Sequence, residues 1–299
     1  MRYYKIKIVN AFTDSRFCGN PAGVVLGDEE LSEGEMKKIA RELGYSETAF
    51  ILNSNRADFK IKYFTPQEEI DLCGHATIAS LYALFEEGAL GLGDGIANIR
   101  LDTKVGILNT YLEIRNGGLE KIMMEQALPQ FRDIDADYDK LADILNIDKK
   151  YFRMDIPLKI AYTGLWDLMV PIINREIIDG IVPDFEKMRK YSEENDIVSF
   201  HLYSIGGNKF LYTRNFAPAV GINEDPVTGT SNCALVGYLL SIGLLDFTAD
   251  KILVVAEQGH ALQRPGRVFV EAILEHGLIK RIMVGGKAVT FLKGELILD

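Results

Sequence analysis

"FTPQEEIDLCGHATIASLYAL", residues 64–84, runs from a proline and a group of carboxylates through Cys-Gly-His into an apolar stretch with almost no polar face. A second block, "FAPAVGINEDPVTGTSNCALVGYLL" at 216–240, follows the same plan. Laid over one another without a gap, residues 59–84 fall on 211–236, an offset of 152. Phe64 then meets Phe216, Pro66 meets Pro218, Ile70 meets Ile222 and Cys73 meets Asp225. "AFT" at 11 and "AYT" at 161 repeat at an offset of 150, close to half the 299-residue chain. Self-similarity at a fixed period marks a duplicated structural unit.

The duplication sets the architecture. Each half is expected to be a mixed α+β unit whose strands wrap one helix, because "ATIASLYALF" and "CALVGYLLSIGLL" must be buried on nearly all sides. Alternation predicts strands at 3–9, 21–26, 48–52, 59–64, 98–102, 107–114 and 120–125 in the first half. In the second half they are expected at 156–163, 167–173, 197–203, 208–216, 252–256, 267–273 and 279–284. Helices are expected at 32–43, where Ser32 and Glu35 form a capping box, and at 75–87, 184–193 and 229–242. Turn chemistry at "NGG" puts the boundary between halves near 117, giving 1–117 and 118–286.

Composition excludes several classes. Hydrophobic residues make up 47% and charged residues 25%, as in a globular protein with a substantial core. With 43 acidic against 33 basic residues the net charge is −10, and no Lys/Arg cluster stands out, which disfavours nucleic acid or an anionic membrane as partner. The N-terminus "MRYYKIKIVNAF" alternates like a strand and lacks a signal peptide's apolar core, and no run of about 18 apolar residues suggests a membrane span. The expectation is a cytoplasmic protein. Cys18, Cys73 and Cys233 fit reduced thiols, and the histidines at 75, 201, 260 and 276 show no metal-binding spacing, so no metal site is expected.

If the two helix starts, "CGH" and "TGT", face a shared cleft, their unpaired N–H groups and partial positive charge suit a carboxylate. They would also stabilise charge that builds on it when a neighbouring proton leaves. Gly74 and Gly229, with His75 and Thr230, are the residues concerned, although Gly and Thr are also ordinary capping residues. Cys73 reads either as a small buried hydrophobe or as an acid/base; a paired-thiol racemase would need a second thiol at the repeat-related position, where Asp225 stands. Cys233 reads as core. His75 starts an apolar helix, a good place to meet a substrate. Glu47, in "GYSETAFI", is either a solvated turn residue or, in a dry cleft with its pKa raised toward neutrality, a general base and acid.

Five ordered motifs extend these readings: "FCGNPAGVVL", "YSETAFI", "YFTPQEEIDLCGHATIAS", "NEDPVTGTSNCALVGYL" and "EQGHALQRPGRV". Together they resemble the phenazine-biosynthesis PhzF-like family, which shares the diaminopimelate-epimerase fold. The resemblance implies two pseudo-symmetric domains, each a β-barrel-like mixed sheet around a central helix, with the site between them and commonly a homodimer. It also implies that a last strand, within 287–299, completes the N-terminal half.

Carried over by motif, the resemblance makes Glu47 similar to the family's catalytic glutamate, His75 to the histidine of its C-G-H block and Asp225 to the aspartate of E-D-P. Gly74 and Gly229 match the glycines whose amides hold the substrate carboxylate. Thr230 stands where many members have Ser, keeping the hydroxyl and adding a methyl. Gly259 and Arg264, in the last block, and Cys73 are further candidates. The implied activity is isomerisation of a small carboxylated substrate by glutamate proton transfer, with neither metal nor organic cofactor. A racemase or epimerase using Cys73, and a non-catalytic dimer that binds a small acid, are the competing expectations.

Overall fold

The computed structural model describes residues 1–27, 31–135, 137–207, 210–245 and 250–298. In chain order the elements are β1 (Arg2–Ala11), β2 (Asn20–Leu26), α1 (Glu33–Leu43), β3 (Thr48–Leu52), β4 (Phe59–Phe64), β5 (Glu69–Ile70), α2 (Gly74–Glu86), β6 (Gly95–Thr103), β7 (Gly106–Arg115) and β8 (Gly118–Glu125). There follow β9 (Gln130–Arg132), α3 (Tyr138–Leu145), β10 (Lys159–Tyr162), β11 (Trp166–Pro171), α4 (Arg175–Gly180), α5 (Phe185–Asn195), β12 (Ser199–Gly206), β13 (Phe210–Ala217) and β14 (Ile222–Asp225). The chain ends with α6 (Gly229–Ser241), β15 (Lys251–Gln258), β16 (Gly266–Glu275), β17 (Leu278–Gly286) and β18 (Ala288–Leu298). The start of the strand expected at 208–216 lies outside the described residues. Among those that are described, no helix is long and apolar enough to cross a membrane.

The chain divides into two compact units, Met1–Glu125 with Gly285–Asp299, and Gln126–Val284. The boundary expected at 117 moves to 125 because "NGG" is a hairpin turn inside the first unit. Asn116 and Gly117 have φ of 52° and 71°, the positive values a tight hairpin needs, and they join β7 to the antiparallel β8.

In the first unit β1 pairs antiparallel with β2 and with β18, β2 runs parallel to β3, β3 pairs antiparallel with β4, and β4 runs parallel to β6. These strands surround α2, which packs on β1, β2, β8 and β18. Ala76, Ile78, Ala79, Leu81, Ala83 and Leu84 are all buried, covering the helix on every side. Each large side chain so buried contributes roughly 1.5–3 kcal/mol. The amphipathic α1 covers the sheet elsewhere with Met36, Ile39 and Ala40, its start fixed by the Ser32–Glu35 capping box.

The second unit repeats the pairing senses. β10 is antiparallel to β11, β11 parallel to β12, β12 antiparallel to β13, and β13 parallel to β15. Its register carries the 152 offset: Thr48 faces Phe64 in the first unit, and Phe200 faces Phe216 in the second. The apolar α6 packs on β10, β11 and β16. Helices α3, α4 and α5 cover a further apolar cluster that includes Leu141, Ile178 and Met188.

The 152 offset does not persist to the helix. Cys73 follows Phe64 by nine positions and caps α2; Thr228 follows Phe216 by twelve and caps α6, with nearly the same extended backbone (φ −140°, ψ 117° against φ −114°, ψ 104°). A 3₁₀ turn at Pro218–Val220 and a longer β14 hold the three extra residues. The counterpart of Cys73 is therefore Thr228, and the equation of Cys73 with Asp225 is corrected.

Candidate active site

Glu47 directly precedes β3, and its carbonyl accepts from the Gly23 N–H at 3.2 Å. Gly23 permits that approach: a Cβ there would lie 2.9 Å from Thr48 Oγ1. His75 occupies the first turn of α2. The start of this helix is fixed by Thr77, whose Oγ1 donates to the Cys73 carbonyl (2.7 Å) and lies 2.6 Å from Tyr63 Oη, which must then be the donor. Strand and helix thus bring together residues far apart in sequence. His75 Nε2 lies 3.1 Å from Glu47 Oε2, and Cys73 Sγ lies 3.4 Å from His75 Nδ1.

Glu47 is 8% exposed. Burial is the largest single influence and would raise its pKa, but the charge of His75 together with the polar groups of His75, Ser46 and Cys73 outweighs it, and the carboxyl is held below the usual carboxylate value. This reverses the rise expected for a dry cleft. Burial also opposes charge on His75, yet Cys73 and then Glu47 hold its pKa well above that of a free imidazole, while burial pushes the Cys73 thiol up. Glu47 therefore stands as a carboxylate beside the His75 ring. Although the charges are close, the ring N–H is not aimed at Oε2, which has no hydrogen-bond partner among the described residues.

Both apolar helices begin without a side-chain cap, and neither has an acidic residue in its first turn. By contrast α1, α3, α4 and α5 are capped by Ser32, Asp137, Asn174 and Asp184. At α2 the cap side chain turns to His75; at α6 it turns to Asp225. No capping side chain of their own meets the first N–H groups of these two helices. A Cβ on Gly74 would meet only Met124 Sδ, at 3.8 Å, so local packing does not demand glycine there.

The second unit holds its own polar cluster. Thr228 Oγ1 donates to Asp225 Oδ2 and accepts from Gln258 Nε2 at 3.1 Å. Gln258, 1% exposed, also donates to the Asp225 carbonyl (2.9 Å) and accepts from Thr228 N–H (3.1 Å), Asn232 Nδ2 (2.9 Å) and Thr213 Oγ1 (3.3 Å). A backbone N–H on one side and a carbonyl on the other fix which way the amide points. Thr230 Oγ1 donates to Gln126 Oε1 at 3.1 Å, and its methyl faces Gly164, where a Cβ would lie 3.0 Å away.

The structure thus brings the candidates Glu47, Cys73 and His75 into one group in the first unit, and Asp225 with Gly229 and Thr230 around the start of α6 in the second. Gly259 has a backbone reason of its own: φ is 88°, and a Cβ would lie 2.4 Å from the Arg264 carbonyl in a turn closed by Arg264 N–H on the Gly259 carbonyl (2.9 Å). Gln258 was missed, yet a signal existed: Ile252, Val254, Ala256 and Gln258 alternate inward on β15, so the last inward position is polar.

Comparison with known proteins places the fold and the family. The family model described as phenazine biosynthesis-like protein, PhzC-PhzF, matches residues 9–294. The uncharacterized isomerase YfhB of Bacillus subtilis is 37% identical over 289 residues, 95% of this chain and 96% of that protein. The trans-2,3-dihydro-3-hydroxyanthranilate isomerase of Pseudomonas chlororaphis is 28% identical over 294 residues, 97% and 98% of the two chains. Among solved structures, the PhzF-family phenazine biosynthesis protein of Bacillus anthracis matches with a TM-score of 0.89 at 32% identity, over 100% of both chains. A hydroxyproline epimerase of Agrobacterium vitis shares the fold at a TM-score of 0.64 and 13% identity, over 99% of this chain and 91% of that one. The protein is therefore an isomerase with the α+β architecture of the diaminopimelate-epimerase type. It belongs to the phenazine biosynthesis-like PhzC-PhzF family.

Proposed function

We propose that this isomerase moves a proton between two carbons of a small carboxylated substrate, with Glu47 as the shuttle. The observation that carries the reading is the Glu47 carboxylate: buried, held ionised by His75, and with Oε2 lacking a hydrogen bond. Such an oxygen can take a proton from carbon without first losing a partner. The electron pair of the broken C–H bond passes into the substrate's unsaturated system. The proton then returns from Glu47 to a different carbon, so atoms and charge balance without a second reactant.

The backbone N–H groups at the uncapped starts of α2 and of α6, at Gly74 and at Gly229, each suit a substrate carboxylate and charge delocalised onto it. His75 in the first unit and Asp225 in the second each suit an amino or hydroxyl substituent; Thr228 Oγ1 holds the Asp225 carboxylate and Gln258 its carbonyl. The named activity of the Pseudomonas chlororaphis relative makes trans-2,3-dihydro-3-hydroxyanthranilate the first compound to try. A two-thiol racemase is not favoured, since the counterpart of Cys73 is the hydroxyl of Thr228.

The test is turnover of that compound in deuterated buffer by wild type and Glu47→Gln. Isomerisation lost in the variant supports the reading. Isomerisation retained at the wild-type rate removes Glu47 as base.

A further inference from the structure

His201, which the proposed proton transfer does not use, is completely buried on β12, opposite Asn215 in the antiparallel register with β13. Its hydrogen bonds lead to Asp225, and the Thr228 backbone fixes their direction. The Thr228 carbonyl can only accept, so Asn232 presents Nδ2 to it at 2.8 Å and turns Oδ1 to His201 Nε2 at 3.3 Å. Nε2 therefore carries a proton. Burial pushes the His201 pKa down to about 3, only partly offset by the bond to Asn232, so the ring is neutral and Nδ1 accepts from Asn215 Nδ2 at 3.1 Å. Beyond His201, Asn232 Nδ2 donates to Gln258 Oε1 (2.9 Å), Gln258 Nε2 donates to Thr228 Oγ1 (3.1 Å), and Thr228 Oγ1 donates to Asp225 Oδ2. All these donors point one way, from Asn215 to the Asp225 carboxylate. Hydrogen bonds aligned head to tail in a buried site polarise and strengthen one another.

We propose that His201 is a positioning residue of this isomerase: as the neutral Nε2–H tautomer it orients the Asn232 and Gln258 amides, and through Thr228 it fixes the Asp225 carboxylate for an amino or hydroxyl substituent of the substrate. Only this tautomer serves. With the proton on Nδ1, the Nε2 lone pair would face Asn232 Oδ1, and turning that amide round would set its oxygen against the Thr228 carbonyl and Gln258 Oε1. His201 touches neither the substrate nor the reacting carbons, so its loss falls on substrate affinity rather than on proton transfer. The positioning role rests on the reading of Asp225 as a substrate contact, whereas the tautomer and the direction of the bonds do not.

The full-length protein, labelled with nitrogen-15, is examined by long-range nitrogen–proton NMR of its four histidine rings, that of His201 assigned through its backbone connectivity. A neutral Nε2–H ring is expected; an Nδ1–H ring or an imidazolium at neutral pH overturns the proposal, and this measurement needs no variant. Hydrogen exchange at the Thr228 N–H, which Gln258 holds, is expected to quicken about tenfold in His201→Leu and to stay within about twofold of wild type in His201→Gln, whose amide still offers Asn232 an N–H. Thermal melting establishes that both variants are folded. Unchanged exchange in His201→Leu overturns the positioning role, whatever compound is turned over. With trans-2,3-dihydro-3-hydroxyanthranilate, His201→Leu is expected to raise KM about tenfold at nearly constant kcat and to add nothing in an Asp225→Asn background. A mere loss of folded enzyme would instead lower kcat at constant KM. KM raised by Asp225→Asn but not by His201→Leu overturns the positioning role and leaves the reading of Asp225 intact. KM unchanged in Asp225→Asn overturns Asp225 as a substrate contact, and the link from His201 to substrate with it.

Discussion

His75 Nε2 lies 3.1 Å from Glu47 Oε2, yet the oxygen accepts no hydrogen bond from it. The charge of His75, with the polar groups of Ser46 and Cys73, thus keeps the carboxylate ionised, and Oε2 stays without a hydrogen bond. Glu47→Gln preserves shape and removes the base. Turnover of trans-2,3-dihydro-3-hydroxyanthranilate is expected to fall by about 10²- to 10⁴-fold, the usual contribution of positioned proton transfer. Steady-state kinetics should put that loss in kcat, with KM changed much less.

Gln258 ties Thr213, Asp225, Thr228 and Asn232 together from a fully buried position. Gln258→Leu leaves the Thr228 N–H and the Asn232 amide without this acceptor. Unmet buried polar groups cost about 1–3 kcal/mol each, so a loss of about 3 kcal/mol is expected. Urea denaturation should show a lower midpoint at unchanged slope; a midpoint equal to wild type would remove Gln258 from the scaffold of this cluster.

Asp167 is completely buried, and burial raises its pKa to about 6, only partly offset by the Ser199 hydroxyl that donates to it at 2.7 Å. Against an ordinary value of 3.8, the folded state holds this proton more tightly than the unfolded one. Stability from this group is complete below about pH 4 and is lost as pH rises to about 6, by about 3 kcal/mol in all. Asp167→Asn cannot ionise there. Its stability relative to wild type should therefore rise between pH 4 and pH 6, as measured by denaturant melts across that range.

Gly164 and Thr230 form a steric pair. Gly164→Ala would set a Cβ 3.0 Å from Thr230 Cγ2, an overpacking expected to cost about 1 kcal/mol. Thr230→Ser deletes that methyl and keeps the hydroxyl bonded to Gln126. The double variant should recover most of the loss, a coupling of about 1 kcal/mol in a double-mutant cycle. Additive effects would mean that the two side chains do not compete for this space.

What the sequence by itself determined is what neighbouring residues encode. The capping box at Ser32–Glu35, the near-absence of polar faces on α2 and α6, and the shared register of β3/β4 and β12/β13 are local patterns with a fixed period. Short helices were harder to read: α4 spans only six residues, too few for periodicity, whereas α3 had a usable signal in Asp137 and the spacing of Leu141, Ile144 and Leu145. The tertiary structure alone decided that Glu47 meets His75 across 28 positions, since that depends on how β3 lies against the start of α2. It also reversed the direction of Glu47's pKa shift and replaced Asp225 by Thr228 as the counterpart of Cys73. Charge and burial act through space, and a three-residue insertion changes alignment without disturbing the strand pairs before it.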